Sequence, residues 1–368
     1  MAKHDKINSD NLNPRIQVIR DSIDTIDNKI LELINERLSY AKEIAEIKKK
    51  AGSQILDKKR ENIIVERLVS LNKGQLNNNV LMQIFKEIFA ASREIQKPQT
   101  VTYLGPEYTF SHIAAMNYFG RSVSFIPQPD IFEIFCEVEK QNFNYGIVPV
   151  ENSIGGAVNR TLDLLFESDL KICAETYHLI SHDLLSNSDS LDKIKVVYSH
   201  PQPIAQCRNW LRNNLPGIET IECSSTSMAA KKASEKNNSA AISSTEAASF
   251  YNLKILSSKI EDFAQNTTRF LIIGNNDEIC RTGNDKTSIM FVTAHAPGAL
   301  CNVLEPIAAA NLNMVKLESR PIKRENWSYF FTADIDGHIQ DDNLKETIAN
   351  MKQRCLFLKC LGSYPKVN

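Results

Sequence analysis

The chain has 368 residues, 42% hydrophobic and 24% charged, with a formal net charge of −1. That length predicts two or three domains, and the composition is that of a globular protein, not a disordered or fibrous one. A charge near zero gives no global pull toward nucleic acid or an anionic membrane, so any anion site must be local. No run approaches the ~18 apolar residues of a membrane span, and the first residues carry no apolar signal core, which predicts a cytoplasmic protein. The eight cysteines include no C-x-x-C pair and no His at metal spacing, so reduced, mostly buried thiols and no metal are expected.

From Pro14 to about residue 97 the pattern is helical. Ile16, Ile19, Ile23, Ile26, Ile30 and Leu33 follow alternating steps of three and four, and Gly52 after three lysines marks a stop. Such a long helix with an apolar seam needs partner helices, in a bundle or a dimer. Two shorter helices are expected near 57–72 and 78–96. After the Lys97-Pro98-Gln99 linker, strands at 101–104, 123–126 and 145–150 alternate with helices near 110–119, 130–140 and 156–166. A second set follows: strand 195–198, helix 203–214, strand 219–223, helix 226–236 and strand 240–242, with 269–273 closing the region. This alternation predicts two α/β lobes with mostly parallel sheets and a cleft at the strands' carboxyl ends. From 287 the order is strand, helix, strand, strand, helix, strand, which is ferredoxin-like.

One charge breaks the first seam. The three-four steps from Leu33 land on Arg37, and a buried guanidinium needs an anionic partner. Lys48 lies about 20° around the helix and ~16 Å along it, so the two could converge on a small dianion. Arg20 lies ~25 Å from Arg37 along the axis, too far to hold the same small ligand. If Arg20 and Arg37 serve one site, Arg20 comes from a second, antiparallel copy, which predicts a homodimer. Ser92 and Gln96 share a face of the last helix. With Asp57, Arg60 and Glu61, these residues stand where the all-helical chorismate mutases carry their site, and the segment resembles that family. The resemblance implies that Arg20, Arg37 and Arg60 hold carboxylates. Lys48 and Gln96 donate to the ether oxygen. Glu61 and Asp57 hold the hydroxyl and orient the cations.

The middle region places polar clusters beside strands. These are Gly105–His112, Val148-Pro149-Val150-Glu151-Asn152-Ser153-Ile154-Gly155-Gly156, Ser199-His200-Pro201-Gln202, Ser224–Ser227 and Thr267-Thr268-Arg269-Phe270. Each can be read as a helix cap or as a ligand site. Together they resemble the prephenate dehydratases, whose V-P-x-E-N-S-x-x-G, S-H-P-Q and T-R-F motifs they match. Tyr108 departs from a usual Gly. The resemblance implies that Thr268 donates to the leaving hydroxyl, with Glu151 or His200 as proton source. Asn152, Ser199, Gln202, Thr226 and Ser227 hold carboxylates or the hydroxyl. Arg269 either clamps a carboxylate or pairs with an internal acid.

The C-terminal motifs run from Ala294 through Gly298, Ala299 and Leu300, and from Glu318 through Ser319 and Arg320 to Pro321. They resemble the amino-acid-binding ACT domain, and Gly298 fits a positive φ or a close approach. In that family the two motifs meet across a subunit interface and enclose phenylalanine. Leu300, Leu317, Trp327 and Phe330 either line that slot or are core.

The expected protein is therefore multidomain. It has an all-α mutase domain at 10–97, a two-lobed α/β dehydratase domain of periplasmic-binding-protein type at 99–276, and an α+β ACT domain at 286–364. It would turn chorismate into prephenate and prephenate into phenylpyruvate without metal or cofactor, with phenylalanine as effector, as a homodimer or higher homo-oligomer. The rivals are a chain that kept one activity and a non-catalytic small-molecule sensor.

Overall fold

A computed structural model describes residues 14–50, 58–96, 99–121, 123–275, 281–321 and 329–367. The chain divides into two compact units, Met1–Pro98 and Gln99–Asn368.

The first unit is three helices: α1 (Pro14–Lys50), α2 (Lys58–Leu71) and α3 (Asn78–Gln96). α1 is unbroken over 37 residues. It packs on α3 through Ala41 and Ala45, which are buried, while its seam lies open: Ile19, Ile26 and Leu33 are 52%, 55% and 64% exposed. Small residues let α3 approach one side of the helix, and among the described residues nothing covers the isoleucine row.

The second unit opens with β1 (Thr100–Leu104), α4 (Phe110–Phe119), β2 (Ser124–Gln128), α5 (Ile131–Glu139), β3 (Tyr145–Asn152), β4 (Gly156–Ala157), α6 (Asn159–Glu167) and β5 (Lys171–Leu179). It crosses to a second lobe with β6 (Asp183–Ser186), β7 (Val196–Ser199), α7 (Pro201–Gln206), α8 (Arg208–Asn214), β8 (Glu219–Glu222), α9 (Thr226–Glu235), β9 (Ser239–Ser243), α10 (Thr245–Phe250) and β10 (Lys254–Ser257). β11 (Thr267–Gly274) returns to the first sheet, whose order is β2-β1-β3-β11-β5; the second is β10-β6-β9-β7-β8. The expectation of mostly parallel sheets is corrected. β1 and β7 pair in parallel with their neighbours, but β11 runs antiparallel to β3 and β5, and β6 runs antiparallel to β9 and β10. A strand that returns after a whole inserted lobe need not enter the sheet parallel to its neighbours, since no short right-handed crossover constrains it.

β12 (Asp285–Val292), α11 (Ala299–Ala309), β13 (Met314–Pro321), β14 (Tyr329–Asp336), α12 (Asp342–Gln353) and β15 (Phe357–Pro365) complete the chain. Their antiparallel sheet, ordered β13-β14-β12-β15, is ferredoxin-like. Its open face packs on the back of the first lobe in one shared core that includes Leu165, Leu271, Met290, Phe330 and Tyr364. The approach is tight: a Cβ at Gly362 would sit 2.3 Å from the Ile172 carbonyl oxygen.

Of the seven described cysteines, all free, Cys207 and Cys223 are buried, four are partly exposed and Cys301 is exposed. That corrects the expectation of mostly buried thiols.

Candidate functional sites

In the helical unit, Arg37 and Ser92 meet. Arg37 Nη1 donates to Ser92 Oγ at 2.5 Å, and the guanidinium lies 5.1 Å from the Phe89 ring centroid. Ser92 donates to the Ile88 carbonyl at 2.7 Å, which leaves its oxygen to accept from the arginine. Burial pushes the Arg37 pKa down, and Glu61 opposes it. Glu61 forms an ion pair with Arg93, a buried residue that the sequence reading did not assign. Arg93 follows Ser92 by one position, so the i+1 rotation turns it to a neighbouring face. Gln96 is half-buried, while Arg20 and Arg60 are exposed. Arg20 and Arg37 share one unbroken helix, which keeps their backbones ~25 Å apart. Asp57 and the Lys48 side chain lie outside the described residues.

In the larger unit a cleft of about 680 Å³ opens between the lobes. Asn152, His200, Gln202, Thr226 and Thr268 line it, as do Gln206, Asn266 and His182. Among the described residues no Asp, Glu, Lys or Arg lines it. Thr109, His200 and Ser225 are N-caps of α4, α7 and α9, accepting from His112, Gln202 and Met228 at 3.4, 3.3 and 3.0 Å. Three helix N-termini therefore border the cleft, each with a partial positive charge. The cap reading holds at these three positions.

Thr268 and Asn152 pair across β11 and β3, with Asn152 Nδ2 donating to Thr268 Oγ1 at 2.9 Å. The Asn152 oxygen accepts from the Ile154 and Gly155 amides at 3.1 and 2.8 Å. Gly155 lies close beneath these groups: a Cβ there would come 3.3 Å from that oxygen and 3.2 Å from Gln202 Nε2, so both side chains would have to shift by a few tenths of an ångström.

Four expected site residues do not face the cleft. Side chains alternate along a strand, so the neighbours of Thr268 and Asn152 point to the other side of the sheet. Arg269 is buried there, bonded to Glu175 at 2.9 Å, Asp334 at 2.8 Å and Tyr364 Oη at 3.0 Å. Burial alone would lower its pKa, but Tyr364, Asp334 and Glu175 outweigh it and hold the charge firmly. Lys286 completes the cluster at 2.7 Å from Glu175, so two cations balance two carboxylates. Of the two readings of Arg269, the internal ion pair is the one present. Glu151 pairs with Lys316 of β13 at 2.6 Å, away from the reacting space. Ser199 is buried and donates to the Ile242 carbonyl at 2.9 Å. Ser227 donates to the Glu107 carbonyl at 2.5 Å and meets Tyr251 Oη at 3.1 Å, bracing one lobe on the other.

Tyr108, at the expected departure from glycine, keeps a glycine-like backbone at φ 58°. A left-handed aromatic residue is strained by roughly 1–2 kcal/mol. Its stack on Phe250 at 4.1 Å and its amide bond to His112 Nδ1 at 2.9 Å offset that strain.

In the C-terminal domain Gly298 adopts φ 74° and opens α11, followed by Ala299 and Leu300. On β13, Leu317, Ser319 and Pro321 are exposed. Lys316, Glu318 and Arg320 turn the other way, toward the first lobe. Arg320 grips Asp163 of α6 through two bonds of 2.5 and 3.0 Å, and Glu318 lies 3.3 Å from Lys316. Placing Glu318 and Arg320 in an effector slot is thereby corrected. Phe330 is core, stacked on Phe166 at 4.9 Å. Trp327 lies outside the described residues. Among the described residues no group of His, Cys, Asp and Glu is placed to hold a metal, and no helix is long and apolar enough to cross a membrane.

Comparison with known proteins matches the family described as chorismate mutase type II over residues 19–97, and that described as prephenate dehydratase over residues 101–278. A bifunctional chorismate mutase/prephenate dehydratase of Aquifex aeolicus is 43% identical over 355 residues, covering 95% of this chain and 98% of that protein. One from Pseudomonas aeruginosa is 40% identical, covering 96% and 98%. The crystal structure of an Arthrobacter aurescens prephenate dehydratase in complex with L-Phe is 31% identical, with a TM-score of 0.67 over 73% of this chain and 90% of that one.

Proposed function

The chain belongs to the bifunctional chorismate mutase/prephenate dehydratases, and from that premise we propose how its residues divide the two reactions. It rearranges chorismate to prephenate and converts prephenate to phenylpyruvate, CO2 and water.

In the mutase site Arg37, set by Ser92, holds a substrate carboxylate. Arg60 holds the other, with Lys48 and Gln96 on the ether oxygen and Asp57 and Glu61 orienting the hydroxyl and the cations. The gain comes from a near-attack shape and from charge placed where the ether oxygen becomes negative. Arg20 enters from a second copy in a homodimer, and the open isoleucine row of α1 is the face that copy covers. Mixing inactive R20A and R37A proteins tests this. Exchange of subunits should restore about a quarter of the wild-type sites, because only the mixed dimer combines both arginines, once. No recovery after confirmed exchange would end the shared-site reading.

In the dehydratase cleft one observation carries the assignment: Thr268 Oγ1 accepts from Asn152 and has no acceptor for its own hydrogen among the described residues. It donates to the departing hydroxyl. The ring carboxylate leaves as CO2, its electron pair entering the ring as the C–O bond breaks, and the hydroxide takes up a proton and leaves as water. A threonine hydroxyl is too weak an acid to supply that proton. Glu151 is tied to Lys316, and His200, whose Nδ1 serves as the α7 cap, is the remaining candidate. The substrate's carboxylates rest on Gln202, Thr226 and the helix N-termini. A chorismate-to-phenylpyruvate assay tests both halves together.

The C-terminal domain is an ACT-type sensor for phenylalanine, supported by its strand order, the left-handed Gly298 and the L-Phe complex of the Arthrobacter relative. Its slot uses Gly298, Ala299, Leu300, Ser319 and Pro321. Phenylalanine favours a low-activity arrangement. Isothermal titration should show binding, and none at millimolar ligand would end the sensor role. We place the enzyme in the cytoplasm, a reading that the free cysteines support.

A further inference from the structure

Two backbone amides fix the direction of a hydrogen-bond chain beneath the dehydratase cleft. The N–H groups of Ile154 and Gly155 can only donate, so the Asn152 atom they meet is its oxygen. Its nitrogen then faces the other way. That nitrogen donates to Thr268 Oγ1 at 2.9 Å and to Asn266 Oδ1 at 2.7 Å, with a weaker approach to the Thr267 carbonyl at 3.5 Å. Since Asn266 Oδ1 accepts, Asn266 Nδ2 is free to donate, and it reaches Gln206 Oε1 at 3.3 Å. The same oxygen faces His182 Nε2 at 2.9 Å, so that ring nitrogen carries a proton and donates. Every link is neutral, and every direction follows from the first two amides.

The chain also crosses the molecule. Asn152, Asn266 and Thr268 belong to the first lobe, while Gln206 and His182 belong to the second. Asn266 is 2% exposed and lies two residues before Thr268, on the same side of the extended chain. Its carbonyl accepts from the Ile180 amide at 2.7 Å, which fixes its backbone where the two lobes join.

We propose that Asn266 is a positioning residue for the dehydration step. It braces the Asn152 amide nitrogen in place beside Thr268, whose oxygen accepts from that nitrogen and whose hydrogen is left for the departing hydroxyl, and it ties that arrangement to the second lobe through Gln206. This rests on the assignment of Thr268 above. Asn266 touches no substrate in this scheme, so its loss slows the chemical step without weakening binding.

The test is steady-state dehydratase kinetics of the full chain on prephenate, with mutase activity of the same preparation as the reference for amount. N266L should lower kcat by about 10- to 100-fold while KM changes by less than about threefold. N266D keeps the acceptor for Asn152 but loses the donor to Gln206, so its kcat should fall between those of wild type and N266L. The N266L/T268V double variant should be no slower than T268V alone, because both changes remove one arrangement. If circular dichroism shows that N266L does not fold, N266S takes its place in the cycle with the same expectation. Wild-type kcat in N266L, a rise in KM in place of the fall in kcat, an N266D as slow as N266L, or losses that multiply in the double variant would each overturn the proposal. A fully active T268V would instead remove the Thr268 assignment, whereas an inactive T268V beside an active N266L removes only the role of Asn266.

Discussion

In the helical unit a guanidinium sits half-buried against Ser92 and Phe89, a formal charge in apolar surroundings. In the larger unit no Asp, Glu, Lys or Arg lines the cleft among the described residues. Both sites take a dicarboxylate of nearly the same size. The difference lies in what each carboxylate must do. The mutase keeps both and needs them gripped while a C–O bond breaks elsewhere, so strong fixed cations help. The dehydratase must expel one as CO2, and a cation clamped on it would stabilise the ground state more than the transition state. On the proposed assignment, neutral caps and amides would bind without that penalty, while the arginine of the T-R-F motif lies in an ion cluster behind the sheet.

The hardest way to break this contrast is to remove one key residue from each site. R37A should lower mutase activity by on the order of 10³-fold and leave prephenate turnover intact, and T268V should lower dehydratase activity by about 10²–10³-fold and leave the mutase intact. Loss of both activities in either variant would deny that the sites are separate. Next, R269M should leave Glu175 and Asp334 short of a cation in the shared core and destabilise the larger unit by about 3–5 kcal/mol, read as a drop in its unfolding midpoint with mutase activity retained. A dehydratase that keeps its stability but loses prephenate affinity would return Arg269 to the binding site.

A third effect is pH-dependent. Burial pushes the His112 pKa down to about 4 from an ordinary 6.5, and its Nδ1 accepts from the Tyr108 amide at 2.9 Å. A depressed folded-state value favours the native protein above the unfolded pKa, and that contribution is lost as pH falls from 6.5 toward 4. It amounts to no more than about 3 kcal/mol, and H112Q should flatten the acid limb of the larger unit's stability curve. Smallest of all, added salt should raise the mutase KM several-fold between about 0.05 and 0.5 M while changing the dehydratase KM by less than about twofold, since screening acts on formal charges first.

The sequence revealed what periodicity and spacing carry. The 37-residue α1, the alternation of strands with helices and the strand–helix order of the last domain are all legible in it. So are the residues of the cleft that sit singly in their motifs, Thr268 and Asn152 among them. What stayed hidden were residues on faces that look like surface but are covered. β5 carries Glu175 and Tyr177 and gave no clear strand signal, yet Glu175 is 3% exposed because Arg269 and Lys286 neutralise it. Arg269 and Arg320 face buried partners in another domain and Glu151 a partly buried one, and one chain's pattern does not say which side of a sheet is covered. A signal existed even so. Adjacent residues on a strand cannot share a face, so Thr268 and Arg269 exclude each other from one cleft, as do Asn152 and Glu151. The same period would have found Asn266, two before Thr268, and the helical step would have found Gln206, four after Gln202.

The alternation on β11 has a mechanical side. A single peptide link joins a hydroxyl that meets the reacting ligand to a guanidinium locked onto Asp334 of β14. Arg269 is in turn bonded to Glu175 of β5 and to Tyr364 of β15, so the residue next to Thr268 is held by three strands at once. The cleft and the C-terminal sheet are thus one covalent step apart at this strand.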